Sequence, residues 1–113
     1  MDIGDIYTVE IPSSDGHEQA GTRPAIIVQA RQFENQLPTV LIVPLTSRLA
    51  AQAFPGTFLV HPDSENGLTM ISVALVFQLR AIDRRRLKRM TGRLSGVHLA
   101  QVHRYIKSLL KLP

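Results

Sequence analysis

Apolar and polar positions change their period several times along this chain, and each change marks an element. Asp5 to Ile11 (DIYTVEI) alternates and is rich in β-formers, which predicts a strand. Pro12 to Gly21 is polar and contains Gly and Pro, so it reads as a loop. It is long for a compact domain and therefore a candidate functional loop. Arg23 to Ala30 carries the run AIIV, and Thr39 to Pro44 reads TVLIVP; both are continuous apolar runs expected of buried strands. Phe33 to Gln36 makes a turn between them. Leu45 to Phe54 reads as a loop with one helical turn. Thr57 to Val60 is a short strand, and His61 to Gly67 (HPDSENG) is a strong turn signal. Met70 to Val76 and Gln78 to Ile82 read as strands, or as one bent strand. Asp83 to Lys88 (DRRRLK) predicts a short helix capped by Asp83, and Met90 to Leu94 a last strand. Ser95 is a good N-cap for a helix from Val97 to Leu110, whose apolar face is formed by Val102, Tyr105, Ile106, Leu109 and Leu110. Short strands without βαβ alternation, closed by a helix, predict a small antiparallel barrel or half-open sheet.

A length of 113 residues suits one domain, 1–113, with a modest core. No internal repeat or linker divides the chain. The absence of cysteine removes disulfides, thiolate-bound zinc and cysteine nucleophiles, and it fits a reducing cytoplasm. The start MDIGDIYTVE has no apolar signal-peptide core, and no apolar run approaches the roughly 20 residues of a membrane span. The formal net charge is +4. Most acidic residues precede Asn66 and most basic ones lie from Arg80 onward, so an acidic partner such as nucleic acid would suit the C-terminal half.

The residues alone narrow the chemistry modestly. His17, His61, His98 and His103 are dispersed, and no zinc, phosphate-loop or nucleophile-elbow motif is present, so no metal or other cofactor is expected. Two polar stretches sit at the ends of buried strands. One is Asp15 to Gln19 running into Thr22-Arg23-Pro24; the other is Pro44-Leu45-Thr46-Ser47-Arg48. An Arg fixed by the backbone at the start of a buried strand suits bidentate phosphate binding. A surface ion pair from Arg23 to Glu18 or Asp15 is the competing reading.

Three blocks make the chain resemble the MazF/PemK family of toxin–antitoxin ribonucleases. They are GDIYTVEI with GHEQAGTRPAIIV between Gly4 and Val28, VPLTSRL from Val43 to Leu49, and SVALVFQLRAIDRRRL from Ser72 to Leu87, followed by GRLS from Gly92 to Ser95. The resemblance implies a mainly β fold with one α-helix: an SH3-like small antiparallel β-barrel with a C-terminal helix, of the CcdB/PemK type, usually a homodimer. It implies a cytoplasmic toxin that cuts single-stranded RNA such as mRNA at short sequences without a metal, by attack of the 2′-hydroxyl on the adjacent phosphate. A cognate antitoxin with an acidic flexible tail is the implied protein partner.

The family's Arg before Pro falls on Arg23, and its Thr in the PLTS block falls on Thr46. Arg23 would neutralise the non-bridging oxygens of a dianionic phosphorane, and Thr46 would donate a hydrogen bond to one of them. An arginine side chain keeps its proton in proteins and is a poor formal acid, whereas histidine is the side chain suited to proton transfer near neutrality, which makes His17 the candidate. Glu18, Gln19, Thr22 and Ser47 flank these groups as candidate RNA contacts, and Arg80 is a candidate for backbone phosphate, with a surface ion pair to Asp83 as the competing reading. Many relatives have an acidic residue where this chain has Phe77, and some a basic one where it has Leu75, so neither proton-transfer role carries over. Phe77 either stacks on an unpaired base or packs in the core. The run Arg84 to Arg89 reads as a solvated face or as an RNA or antitoxin contact. A toxin that still binds RNA or antitoxin without cutting is the first alternative. A gyrase-binding toxin like CcdB ranks lower, because that function depends on a Trp near the C-terminus and this chain has no Trp.

Overall fold

A computed structural model of the chain describes residues 1–12 and 21–113. Among these are seven strands and one α-helix: β1 (Asp5–Ile11), β2 (Gly21–Ile27), β3 (Thr39–Thr46), β4 (Thr57–Val60), β5 (Ser72–Leu75), β6 (Arg80–Asp83), β7 (Leu87–Arg93) and α1 (Gly96–Leu110). All ladders are antiparallel. The order is β4-β5-β3-β2-β1-β7, with β6 also paired to β3.

β3 explains this branching. Thr39 to Ile42 pair with β6, while Leu45 and Thr46 pair with β5. β5 and β6 are thus the bent strand expected from the sequence, broken by a 3-10 turn at Val76–Gln78. The N–H groups of Val76 and Phe77 both donate to the Gly56 carbonyl (3.0 and 3.3 Å), which fixes the bend. No ladder among the described residues joins β6 to β7, so the sheet curls without closing.

Because the sheet curls, it is buried on both faces. Ile6, Ile26, Val43 and Leu45 face Phe58, Val60, Ala74 and Val102 of β4, β5 and α1. Their alternating neighbours Val9, Ile11, Ala25, Ile27, Val40 and Ile42 form a second core with Ile82 on the other face. Burial on both faces is why AIIV and TVLIVP are continuous apolar runs rather than alternating ones.

The elements differ from the sequence expectations where tertiary pairing overrides local signals. β2 begins at Gly21, which continues the hairpin by pairing with Ile11. β3 extends past Pro44 because β5 offers Leu45 and Thr46 a partner. The helix expected over Asp83 to Lys88 is only a 3-10 turn at Arg84–Arg86, although Asp83 caps it by accepting from the Arg85 N–H (2.9 Å). Leu87 and Lys88 belong to β7, with Leu87 opposite Val9 on the second core. On α1, Val102 is buried and Tyr105 and Ile106 pack beside it, but Leu109 and Leu110 are exposed, so the apolar face ends earlier than expected.

The Ser95 hydroxyl accepts from the His98 N–H (3.2 Å) and caps α1. Ser95→Ala is therefore expected to cost about 1 kcal/mol of folding stability, read as a lower urea midpoint at unchanged slope.

Candidate functional site

The β2–β3 ladder pairs Ala25 with Pro44. Continued two residues past its last pair, that register would set Arg23 opposite Thr46, on the face shared by Ala25 and Ile42. The backbone of Arg23 is held on its other side by Val9 of β1. Thr46 is 1% exposed. Its hydroxyl oxygen accepts from the Arg48 N–H (3.2 Å), which orients the side chain and leaves the hydroxyl hydrogen to be donated elsewhere. One guanidinium and one hydroxyl donor thus come from adjacent strands, at the end where the β1–β2 ladder stops at Ile11 and Gly21. His17, Glu18 and Gln19 lie outside the described residues.

Thr22 and Ser47, the two exposed polar neighbours of this pair, line a groove of about 320 Å³ together with Arg23, Leu68, Met70 and Arg89. Phe77 and Arg80 lie elsewhere. The half-buried ring of Phe77 packs on Phe54, with centroids 5.2 Å apart at 41°. Arg80 is opposite Ile42 on β3, half-buried, and its Nη1 is buried without a hydrogen-bond partner. The competing ion pair to Asp83 is not formed, because Asp83 takes Arg85 instead (3.0 Å).

The basic run is partly neutralised. Arg86 and Lys88 both approach Glu10, at 3.9 and 3.3 Å. The Arg85 guanidinium and, after it, the Arg85 N–H hold the Asp83 carboxyl down at about 2, against an ordinary 3.8. A lowered folded-state value means that ionised Asp83 stabilises the fold above the ordinary carboxylate range. That contribution is lost as pH falls through the window between the two values. Asp83→Asn is accordingly expected to melt below the parent at neutral pH, with the gap closing by about pH 2; thermal melts across that range check it.

The sequence does not mark the groove wall from Gly67 to Ser72 as a site feature, and it marks Arg89 only as part of the basic run. HPDSENG signalled a turn, but not that the turn would lie against β7. No group of three or more His, Asp or Glu residues gathers to hold a metal ion among the described residues. No helix among them is long and apolar enough to cross a membrane.

An antiparallel sheet with a C-terminal helix, with Thr22, Arg23, Ser47 and Arg89 along one groove, defines a small open β-domain closed by one helix. The chain belongs to the PemK-like, MazF-like toxins of type II toxin–antitoxin systems, whose family model matches residues 2–110. It is 32% identical to the endoribonuclease MazF of Staphylococcus saprophyticus over 112 residues, covering 99% of this chain and 92% of that protein. Its structure is similar to that of MazF from Deinococcus radiodurans, with a TM-score of 0.82 and 26% identity over 99% of this chain and 97% of that one. A MazE–MazF structure from the same organism matches with a TM-score of 0.75 and 27% identity, covering 100% of this chain and 97% of the other. The antiparallel fold with a C-terminal helix expected from the sequence is thus the fold observed, with the sheet open rather than closed.

Proposed function

We propose that this chain is the toxin of a type II toxin–antitoxin pair and a sequence-specific endoribonuclease that cuts single-stranded RNA in the cytoplasm. The observation that carries the reading is the β2–β3 ladder, whose register, continued two residues past the Ala25–Pro44 pair, would set Arg23 and Thr46 on one face. The named activity of the staphylococcal relative supports the reaction class, and the Deinococcus MazE–MazF structure supports an antitoxin partner. The acidic tail of that antitoxin and the homodimeric state are part of the same proposal.

The reaction needs no metal. The 2′-hydroxyl oxygen bonds to the adjacent phosphorus, its proton leaves to a base, and the bond to the 5′-oxygen breaks as that oxygen is protonated. The products are a 2′,3′-cyclic phosphate and a 5′-hydroxyl. Arg23 offsets the charge on the non-bridging oxygens and Thr46 donates to one of them. His17 is the candidate for proton transfer, since its intrinsic pKa lies near neutrality. Thr22, Ser47, Glu18 and Gln19 would contact the strand beside the cut. Arg80 is the candidate contact for backbone phosphate. Phe77 is assigned to base stacking only if its ring leaves Phe54.

Leu75 is buried and Phe77 packs against Phe54, so neither offers an acid or base. That favours, as the second reading, a toxin that binds RNA or antitoxin without cutting. Incubation with single-stranded RNA in EDTA, followed by end mapping, separates the two. Discrete cuts with cyclic phosphate ends support the nuclease. Antitoxin binding without cuts supports the second reading, and gyrase trapping without RNA cutting would instead indicate a CcdB-like toxin.

A further inference from the structure

We propose that Asn66 and Gly67 form a site of spontaneous covalent modification: the folded turn keeps the pair from reacting, and opening of the turn lets Asn66 convert irreversibly to aspartate or isoaspartate. The chemistry belongs to the chain itself and needs no RNA, so it holds whether or not the chain cuts RNA.

An asparagine followed by glycine is reactive because glycine puts no side chain beside the attacking nitrogen. Once its proton passes to a solvent base, the Gly67 backbone nitrogen bonds to the carbonyl carbon of the Asn66 side chain. The bond from that carbon to Nδ2 breaks, and Nδ2 leaves as ammonia. The product is a cyclic imide. Water then adds to one of the two imide carbonyls and opens the ring. One opening leaves aspartate; the other leaves isoaspartate, whose main chain runs through the former side chain. One water is consumed and one ammonia released, with no oxidant, metal or second protein. The only other asparagine, Asn35, is exposed but is followed by Gln36 and lacks the pair.

The turn is arranged against this reaction. Asn66 is the one buried residue between His61 and Gly67, at 1% exposed. Its carboxamide is held at three points. Oδ1 accepts from the N–H groups of Asp63 (3.2 Å) and Leu68 (3.0 Å), and Nδ2 donates to the His61 carbonyl (2.9 Å). The Asp63 carboxylate accepts in turn from the N–H groups of Glu65 and Asn66, both at 2.8 Å. Those two bonds, Glu65 first, hold the Asp63 carboxyl below its ordinary range. Behind the pair lies β7: a Cβ on Gly67 would collide with the Thr91 carbonyl, and one on Gly92 with the Asn66 carbonyl, so the Asn66–Gly67 peptide rests on the β7 backbone. Ring closure must take the carboxamide from its three partners and admit water, so its rate follows the population of the open turn. The products do not fit the closed turn. Aspartate at position 66 would set a carboxylate oxygen where Nδ2 now donates, two acceptors facing each other at the His61 carbonyl. Isoaspartate would lengthen the main chain where it rests on Thr91 and Gly92. The turn closes over Asn66 and not over what Asn66 becomes.

The test incubates the full chain in mildly alkaline buffer, folded and in guanidinium chloride above its unfolding midpoint. Peptide mapping by mass follows the gain from exchanging NH for O at Asn66 and at Asn35. In the unfolded chain Asn66 is expected to react well ahead of Asn35. In the folded chain it is expected to react at least about a hundredfold more slowly than in the unfolded one, since three hydrogen bonds at about fivefold each oppose the opening. Asp63→Ala removes the acceptor of the Glu65 and Asn66 N–H groups and is expected to raise the folded-state rate by about tenfold. Asp63→Ser, which keeps one acceptor, is expected to fall between. If melts show that Asp63→Ala does not fold, the Asp63→Ser rate decides. Asn66→Asp is expected to lower the urea midpoint at unchanged slope. Equal rates in the folded and unfolded chains, or an unfolded Asn66 no faster than Asn35, would overturn the site. So would Asp63 variants that deamidate at the parent rate. An Asn66→Asp midpoint equal to that of the parent would overturn the irreversibility.

Discussion

Arg23→Ala is expected to reduce RNA cleavage by about a hundredfold to a thousandfold, the cost typical of deleting one preorganised donor to a developing oxyanion. The fold should survive the change. Arg23 is tied to β1 through its backbone, opposite Val9, and its side chain is only half-buried, so truncation opens no cavity in either core. The loss belongs in kcat more than in KM, since the guanidinium is matched to charge that accumulates only as the phosphorane forms. Arg23→Lys should recover part of the rate, because an ammonium keeps the charge and loses the two-pronged geometry. Single-turnover rates beside thermal melts measure both quantities. A rate within tenfold of the parent at unchanged melting temperature would remove Arg23 from the reaction. Thr46→Val is a less clean probe. It deletes the candidate donor and also strips the Arg48 N–H of its acceptor, so a change in stability accompanies any change in rate.

Why Arg23 was legible and the groove wall was not has a physical cause. The ends of β1 and β4 and the cap of α1 depend on local signals, namely alternation, turn residues and a serine before a helical period, and the structure has them where those signals lie. Arg23 and Thr46 could be marked because each follows or precedes a buried apolar run. Their meeting depends on β3 lying beside β2, a nonlocal fact that the family resemblance implied; the ladder itself runs from Ala25 to Ile27. β7 was misjudged because three consecutive arginines look like a helical charge run. Leu87 is recruited to the second core, and the strand starts there. Phe77 stood at a family position, yet its ring is set by Phe54 and by the two N–H bonds to Gly56, none of which is near it in sequence. The HPDSENG turn was visible, but its use as a wall requires β7 to pass beneath it, and only the tertiary arrangement contains that.

The two glycines at that crossing are expected to be the most sensitive backbone positions in the chain. A Cβ on Gly67 would stand 2.1 Å from the Thr91 carbonyl oxygen, and one on Gly92 would stand 2.4 Å from both the Asn66 carbonyl carbon and the Glu65 oxygen. These are backbone atoms, which cannot rotate away as a side chain tip does. Gly67 also has φ of +69°, where a side chain adds strain of its own. Gly67→Ala and Gly92→Ala should each cost about 3 kcal/mol or more, from overpacking added to lost loop and strand contacts. Gly96→Ala is the contrast: nothing lies within 4 Å of its Cβ, and it begins α1, so the change should be neutral or stabilising by up to about 1 kcal/mol. The Gly67 and Gly92 costs should also fail to add, because the first substitution lifts the loop from β7 and removes the obstacle to the second. Urea midpoints of the two single variants and the double variant, at matched slopes, measure all of this. Stability within about 0.5 kcal/mol of the parent for either single variant would mean that the turn does not sit on β7 in solution. A fully additive double variant would mean that the two glycines do not share one contact.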